Sequence, residues 1–365
     1  MHKVLRIFLL CLIFLLSLIS CGEFTTKDDD VDTGSISKVQ ISMSDDNLHR
    51  FYNSVTAGNY TSCTVEKGHW RGDGEIRVRG YSSRLNHKKS FSLIIDGKLY
   101  ILERGESTGG LYNRIAMRTY QLAGVSACDT ESVALFLNDE YLGCYNLITY
   151  YSPDTMSGEL YKFNVSAGGD FGLNHPLVSY SEKKFPKDDD LSNLEHLFCA
   201  CSTLSAADWN SFVNTNVDVD KTAAYLAIHD FLTVTDTART NFYIQYDGKY
   251  RIIPWDNELC MIKDRSNYKL CTDNQLINRL GKVPEVKAAY NRIMGELFTG
   301  GGDTCILDTL KAEAADMFDK LVPAIEKDPR FPMTRQQFMA EKAYVVNYLD
   351  KTTGRASERD KLILH

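Results

Sequence analysis

The sequence predicts an α+β protein with two lobes, in which a strand-rich N-terminal part precedes a helical C-terminal part. Between residues 38 and 147, short runs of alternating apolar and polar residues are separated by turn signals such as Asp96-Gly97. After residue 261, apolar residues recur at helical spacing in three long segments, residues 284–298, 306–325 and 334–348. Strands and helices that are segregated along a chain are typical of the α+β class.

The N-terminus has the pattern of a secretory signal. Residues 1–20 combine a basic start, Lys3 and Arg6, with an apolar run that is too short to span a bilayer, and Cys21 follows. Residues 18–21, L-I-S-C, resemble a bacterial lipobox, which implies cleavage before Cys21 and lipidation of its sulfur. An uncleaved membrane anchor is the alternative.

Residues 21–34 are predicted to be an acidic tether that is too polar to fold, and residues 35–365 a single folded unit. The acidic run of residues 28–30 resembles the surface-export signal of Bacteroidetes lipoproteins. We therefore expect an exported protein that is lipid-anchored to the cell envelope, in the outer membrane and exposed at the surface.

Charge and cysteine content narrow the function classes. The net charge is −7, and no basic stripe is present, which argues against nucleic acid as a partner. Of the ten cysteines, Cys11 is lost with the signal and Cys21 is lipidated; the other eight are available for disulfides in an exported protein. Their pairing cannot be read from the sequence.

The remaining elements follow from local patterns. Alternation predicts strands at residues 38–43, 75–79, 90–95 and 99–102, and a hairpin with arms at residues 133–137 and 141–147. Apolar spacing predicts helices at residues 45–57, 111–123, 191–201 and 220–232, and Gly124 ends the second of these.

One stretch, residues 227–261, concentrates the candidate chemistry. It contains a hairpin with arms at residues 241–246 and 250–253 around the turn Asp247-Gly248. The hairpin brings Asp236 and Asn241 at its entrance near Asp256 at its exit, and oxygen ligands of this kind suit Mg²⁺. The spacing Asp236-x4-Asn241 is that of the catalytic loop of kinases, although Asp and Asn are also ordinary turn residues.

A basic segment between two predicted strands is the second candidate. Arg77, Arg79, Arg84, Lys88 and Lys89 are interspersed with glycine and serine. Backbone N–H groups near a glycine, serine hydroxyls and cationic side chains together suit a triphosphate. The alternative is an ordinary basic loop on an acidic protein.

Several motifs in a consistent order resemble the spore-coat protein H (CotH) kinase family. They are residues 78–83 (V-R-G-Y-S-S), 88–91 (K-K-S-F), 112–114 (Y-N-R), 137–145 (L-N-D-E-Y-L-G-C-Y), 159–162 (E-L-Y-K) and 254–256 (P-W-D). The resemblance is strongest over residues 74–261, and residues 262–365 form a helical extension beyond it. It implies a highly diverged protein-kinase-like fold that uses ATP with Mg²⁺ or Mn²⁺ and phosphorylates an exported protein on Ser or Thr.

The resemblance also implies roles for individual residues. Arg79, Ser82 and Ser83 would replace the glycine-rich loop, and Lys88 or Lys89 would contact the nucleotide phosphates; we favour Lys89. Asp236 would be the catalytic-loop acid, with Asp230 as a weaker candidate. The metal ligands would be Asn241 and Asp256, together with Glu258, which stands where the family commonly has a second Asp.

Two other functions are compatible with the sequence. A pseudokinase or surface-binding lipoprotein would keep the fold without phosphoryl transfer, consistent with the scarcity of ATP outside the cell. A carbohydrate-handling protein would use Asp236 and Asp256 as paired carboxylates, with Tyr250 and Trp255 as a stacking platform. That function would leave Asn241 and the basic segment unexplained.

Overall fold

The computed structural model describes residues 31–53, 58–80, 86–105, 108–163, 181–235, 241–263, 274–299, 305–328 and 330–356. The predicted signal segment and the lipidation site Cys21 lie outside this part of the chain. Within it, no helix has the length and the apolar character that crossing a membrane requires.

The N-terminal strands close into a seven-stranded barrel with the order β1-β2-β3-β4-β5-β7-β6. The strands are β1 (Ser37–Ser42), β2 (Thr61–Lys67), β3 (Trp70–Arg79), β4 (Ser90–Ile95), β5 (Lys98–Glu103), β6 (Thr130–Leu137) and β7 (Glu140–Thr149). Closure comes from the parallel pair β1 and β6, in which Val39 is opposite Leu135. Apolar side chains from alternate strand positions fill the barrel interior.

Two helices accompany the barrel. Helix α1 (Asp45–Asn53) contributes Phe51 to the barrel core, and the Ser44 hydroxyl accepts a hydrogen bond from the Asn47 N–H at its start. Helix α2 (Leu111–Leu122) lies between β5 and β6 in the sequence and ends before Gly124, whose φ is 70°.

A second sheet has the order β11-β10-β8-β9. Its strands are β8 (Glu159–Phe163), β9 (Ser181–Phe185), β10 (Phe242–Tyr246) and β11 (Tyr250–Pro254). One side of this sheet packs on the barrel through an aromatic cluster of Tyr150, Tyr151, Tyr243 and Trp255. The Tyr150 and Tyr243 hydroxyls are 2.7 Å apart, so this junction is held by polar as well as apolar contacts.

The helices of the C-terminal part build the largest apolar core. They are α3 (Ser192–Thr203), α4 (Ala206–Asn216), α5 (Val219–Phe231), α6 (Gln275–Gly281), α7 (Pro284–Met294), α8 (Leu307–Lys327) and α9 (Arg335–Tyr348). A π-helical turn, Gly295–Thr299, extends α7. Helix α5 is buried on all sides, which explains why its sequence is almost continuously apolar.

The predicted α+β composition is confirmed, since strands dominate up to residue 149 and helices dominate later. The predicted hairpins and most of the long helices are present within a few residues of the expected limits. The sequence analysis missed β2, β8, β9, α4 and α6, and it did not predict barrel closure. The seven cysteines in the described part of the chain are free thiols, so none of them is used for the disulfides that an exported protein could form.

Candidate functional site

The hairpin β10–β11 ends beside the barrel. Phe242 pairs with Pro254, which places Asn241 at the level of Trp255, and the chain then continues into Asp256 and Asn257. Asp256 has a φ of 55°, an unusual conformation for a non-glycine residue. The turn is held from the barrel side, because the Asn257 N–H donates to Asn113 Oδ1 of α2 at 3.2 Å.

Glu103, at the end of β5, faces the same turn. Its carboxylate accepts hydrogen bonds from Asn113 Nδ2 at 3.0 Å and from Asn146 Nδ2 at 2.9 Å. Gly110 makes room for it, since a Cβ on Gly110 would lie 2.5 Å from Asn146 Cβ and 3.2 Å from Glu103 Oε2. The barrel therefore presents a carboxylate, held by two amides, toward the segment that carries Asp256.

Two cationic side chains form a cluster with Glu103 and Asp256. The Arg79 guanidinium carbon, at the end of β3, lies 5.9 Å from the ring centroid of Trp255. The Lys162 ammonium, on β8, lies 5.7 Å from the same ring. Trp255 is 6 % exposed, and both cations lie close to this buried ring at the junction between barrel and sheet.

The charges of these four residues influence one another. Burial and the negative charge of Asp256 raise the pKa of Glu103 to about 7, against the opposing effects of the two amides and of Arg79. Burial and the positive charge of Arg79 lower the pKa of Lys162 to about 8, against the opposing charge of Asp256. Mutually perturbed acids and bases of this kind cluster at functional sites.

Several buried polar atoms here have no hydrogen-bond partner in the described part of the chain. They are Arg79 Nη1, Asn146 Oδ1, and both Nδ2 and Oδ1 of Asn257. Buried polar groups in folded proteins are usually satisfied, and a cluster of exceptions indicates water, an ion or a ligand. Donors from Arg79 and Lys162 suit phosphate oxygens, while the carboxylates and amide oxygens suit a divalent cation. The residues present therefore fit a nucleotide with Mg²⁺ or Mn²⁺.

A groove of about 420 Å³ adjoins this cluster. Gly110, Tyr112, Glu258 and Leu259 contribute to its walls, and Pro332 and Met333 complete them. Gly110 lines the groove, and a Cβ on it would lie 3.2 Å from Glu103 Oε2, so the groove passes close to the Glu103 carboxylate.

Comparison with known proteins identifies the family. A family model described as "CotH kinase protein" matches residues 76–353, which is most of the chain. The chain belongs to the CotH kinase family. The matched range begins within β3 and runs through the helical part to residue 353, so residues 262–353 lie inside the family region and are not an extension of it.

Individual relatives are distant. The inner spore coat protein H of Bacillus subtilis is 23% identical over 182 residues, which is 46% of this chain and 48% of that protein, so the match spans about half of the relative. The Helicobacter pylori proinflammatory kinase CtkA matches with a TM-score of 0.32 and 13% identity, over 75% of this chain and 94% of CtkA.

A chain from the HipA–HipB–operator DNA complex of Shewanella oneidensis matches with a TM-score of 0.31 and 10% identity, over 79% of this chain and 66% of its own. Both superpositions are weak, and the site of this CotH-family chain is therefore interpreted from its own residues.

The two candidate lysines are engaged within the CotH-family chain. Lys88 is 7 % exposed, and its Nζ is 2.7 Å from both Asp328 Oδ2 and the Cys144 carbonyl oxygen. Lys89 donates to the Asn86 carbonyl oxygen at 2.7 Å. Lys88 would have to leave a buried ion pair to contact a nucleotide, and the role of either lysine stays a prediction.

The segment predicted to be the catalytic loop is only partly described. Asp236, Ser82 and Ser83 lie outside the described residues. The residue before Asp236, Thr235, donates its N–H to the Leu259 carbonyl oxygen at 3.0 Å, and Asn241 begins the hairpin next to Trp255. Both ends of the intervening segment are thus anchored near Asp256, while Glu258 lines the groove.

Two expectations from the sequence are wrong. Asp230 cannot be the catalytic-loop acid, because it is 6 % exposed within α5 and accepts a hydrogen bond from the Tyr290 hydroxyl at 2.5 Å. Tyr250 and Trp255 cannot form a surface platform for a sugar, because they are 2 % and 6 % exposed.

The sequence analysis missed Glu103 and Lys162 as members of the site. Lys162 was part of a recognised motif, but its place over Trp255 depends on the pairing of β8 with β10. Glu103 follows an ordinary strand pattern, and no local signal distinguishes it from a surface glutamate. The available signal was the pair of asparagines, Asn113 and Asn146, at positions that a barrel and a helix would otherwise fill with apolar residues.

Proposed function

We propose that this protein is a kinase-like exported lipoprotein that binds ATP with a divalent cation and transfers phosphate to Ser or Thr of another exported protein. The observation that supports this most is the convergence of Arg79, Lys162, Glu103 and Asp256, surrounded by buried polar atoms without partners. Membership of the CotH kinase family agrees with it.

The proposed roles follow from the chemistry of each side chain. Arg79 and Lys162 bind the phosphate oxygens, and Trp255 beneath them limits the access of water. Asp256 and Asn241 hold Mg²⁺ or Mn²⁺, which when bound neutralises charge on the transferred phosphoryl group. Asp236 orients the acceptor hydroxyl for in-line attack and takes up its proton.

The proposed location rests on the sequence of residues 1–34. Lipidation of Cys21 after removal of residues 1–20 would anchor the protein to the outer membrane, with an acidic tether before the folded part. An acceptor protein would then be encountered in the same envelope compartment.

A pseudokinase is the second candidate, and Lys88 is the observation that favours it. The ammonium of Lys88 is already bonded to two oxygen atoms of the protein, Asp328 Oδ2 and the Cys144 carbonyl oxygen. If catalysis requires this lysine at the phosphates, the protein binds the nucleotide without transferring phosphate.

The two candidates are separated by measuring binding and transfer in the same variants. Calorimetry with ATP and Mg²⁺ or Mn²⁺ measures binding, and radiolabelled ATP measures transfer to the protein itself and to co-exported proteins. Asp256→Ala is expected to abolish metal-dependent binding, whereas Asp236→Ala is expected to keep binding and lose transfer. Asp46→Ala, an exposed residue in the first turn of α1, is the matched control.

Three outcomes decide between them. Binding and labelling of the wild type, both sensitive as stated, support the kinase. Binding without labelling supports the pseudokinase. A wild type that shows neither binding nor labelling with both metals contradicts the proposed function. Bound ATP at 100 times its Kd should also add about 2.7 kcal/mol to the stability, which a thermal shift detects.

A further inference from the structure

Asn113 links Glu103 directly to the turn that carries Asp256. Its Nδ2 donates to both carboxylate oxygens of Glu103, at 3.0 Å and 3.1 Å, while its Oδ1 accepts from the Asn257 N–H at 3.2 Å. One side chain therefore fixes the distance and direction between the Glu103 carboxylate and the Asp256–Asn257 peptide. A buried asparagine that hydrogen-bonds to two separate elements in this way is well suited to orienting a functional group.

The Glu103 carboxylate has no cationic hydrogen-bond donor among the described residues. Its hydrogen-bond donors among the described residues are the neutral amides of Asn113 and Asn146. A carboxylate has about four lone-pair positions, and these donors leave at least one of them available. Asn113 ties this carboxylate to the Asn257 N–H, so the adjacent Asp256 brings a second negative charge to the same turn. Two carboxylates that are held near one another repel, and a cation bound between them would remove that repulsion.

An independent observation comes from the amides around the two carboxylates. Asn146 and Asn257 are 0 % exposed, and Asn146 Oδ1 and both polar side-chain atoms of Asn257 have no hydrogen-bond partner in the described protein. Mg²⁺ keeps several of its waters when it is bound by only one or two carboxylates. Such waters would donate hydrogen bonds to the unsatisfied amide oxygens. The amides therefore have the placement expected of groups that surround a hydrated cation.

We propose that Glu103 is a ligand of the divalent cation, opposite Asp256, and that Asn113 and Asn146 orient its carboxylate. This inference rests on the metal site of the proposed function and adds a barrel residue to it. The cation would then connect β5 of the barrel to the turn after β11. Glu258, two residues beyond Asp256, lines the adjoining groove instead of binding this cation.

The alternative is that Glu103 is a purely structural residue that ties α2 to β7 through its two asparagines. The two roles predict opposite effects on the metal-free protein. As a ligand facing Asp256, Glu103 destabilises the metal-free fold by charge repulsion, so Glu103→Gln should leave the Tm unchanged or raise it. As a structural acceptor, its loss should lower the Tm.

The experiment measures Mn²⁺ binding by electron paramagnetic resonance of the free ion, and Tm with and without Mn²⁺, on the full chain. The variants are Glu103→Gln, Glu103→Asp and the control Glu195→Gln, an exposed glutamate in the first turn of α3. Glu103→Gln is expected to weaken Mn²⁺ binding at least tenfold and to lose the Mn²⁺-induced rise in Tm. Glu103→Asp should retain part of the affinity, because it keeps the charge at a shorter reach.

Each remaining outcome overturns the inference in a distinguishable way. A Glu103→Gln protein that binds Mn²⁺ and MnATP as the wild type does removes Glu103 from the metal site but leaves the proposed function standing. A wild type that binds no Mn²⁺, with or without ATP, defeats both. If Glu103→Gln does not fold, the structural role is supported, and Glu103→Asp with wild-type Mn²⁺ affinity would confirm that result.

Discussion

Replacing Lys88 with methionine tests whether this lysine is a structural or a nucleotide-binding residue. Its Nζ lies 2.7 Å from Asp328 Oδ2 and 4.8 Å from the ring centroid of Tyr145, and the two ion-pair side chains are 8% and 0% exposed. Methionine keeps the volume of the side chain and removes its charge. Among the described residues, the Asp328 carboxylate would then keep only the N–H groups of Cys144 and Arg330 as donors, at 3.0 Å and 2.9 Å.

The expected loss is large, because an unpaired buried charge costs more than the pair contributes. Breaking a buried ion pair by removing one partner costs about 3–5 kcal/mol. At about 2 °C per kcal/mol for a chain of this size, the Tm should fall by about 6–10 °C. The control is Lys98→Met, which breaks an exposed pair with Asp154 and should cost less than about 1 kcal/mol.

The assay is thermal unfolding of wild type, Lys88→Met, Lys98→Met and the double variant Lys88→Met/Asp328→Asn, with ATP binding measured in parallel. Removing both charges should recover part of the lost stability, because no unpaired ion remains. A Lys88→Met protein that keeps the wild-type Tm but no longer binds ATP would refute the structural role and assign Lys88 to the phosphates.

Three further predictions follow from single positions. Gly143→Ala should destabilise the protein severely in thermal unfolding, since a Cβ there would lie 2.1 Å from Asp328 Oδ2. The control for backbone strain is Gly248→Ala, because a Cβ on Gly248 would meet nothing within 4 Å while its φ is also positive, 71° against 107° at Gly143. Burial lowers the pKa of His229 from its ordinary 6.5 to about 3, so only the unfolded chain binds this proton in that window and stability falls as the pH is lowered. His229→Phe should reduce this slope by up to about 1.4 kcal/mol per pH unit, measured by denaturant titration between pH 4 and 6.5. Cys21→Ser should move the protein from the membrane fraction to the soluble fraction, and a variant that stays fully membrane-bound would indicate an uncleaved anchor.

The elements that the sequence predicted are those specified by local chemistry. Asp96-Gly97 and Asn138-Asp139 take positive φ values in the turns of two barrel hairpins, and aspartate, asparagine and glycine are the residues that tolerate this conformation. Barrel closure depends instead on the parallel pairing of β1 with β6. These strands are about ninety residues apart, and no local sequence pattern indicates that they pair. Strand β2 was missed because Thr61 and Cys63 occupy buried positions where the alternation would normally show larger apolar residues.

The residues of the candidate site also differ in whether a local sequence pattern predicts them. Arg79 and Asp256 could be predicted because each lies in a short motif whose chemistry is recognisable from the sequence. Glu103 could not be predicted, because its environment is set by Asn113 and Asn146, which reach it from a helix and a different strand. The burial of Lys88 was also unpredictable, since its partner Asp328 is 240 residues further along the chain.

The position of the cluster explains why ligand binding should be coupled to the packing of the barrel on the second sheet. Arg79 and Glu103 belong to the barrel, whereas Lys162 and Asp256 belong to the second sheet and the turn after it. Each half therefore contributes one cation and one carboxylate, and neither half alone forms a binding site. Asn113 and the aromatic cluster around Trp255 hold the halves together before any ligand is present. The Arg79 guanidinium carbon and the Lys162 ammonium lie 5.9 Å and 5.7 Å from the Trp255 ring centroid, so the cations of both halves meet at the aromatic cluster. A nucleotide with its cation would contact both halves at once, so its binding energy would oppose their separation.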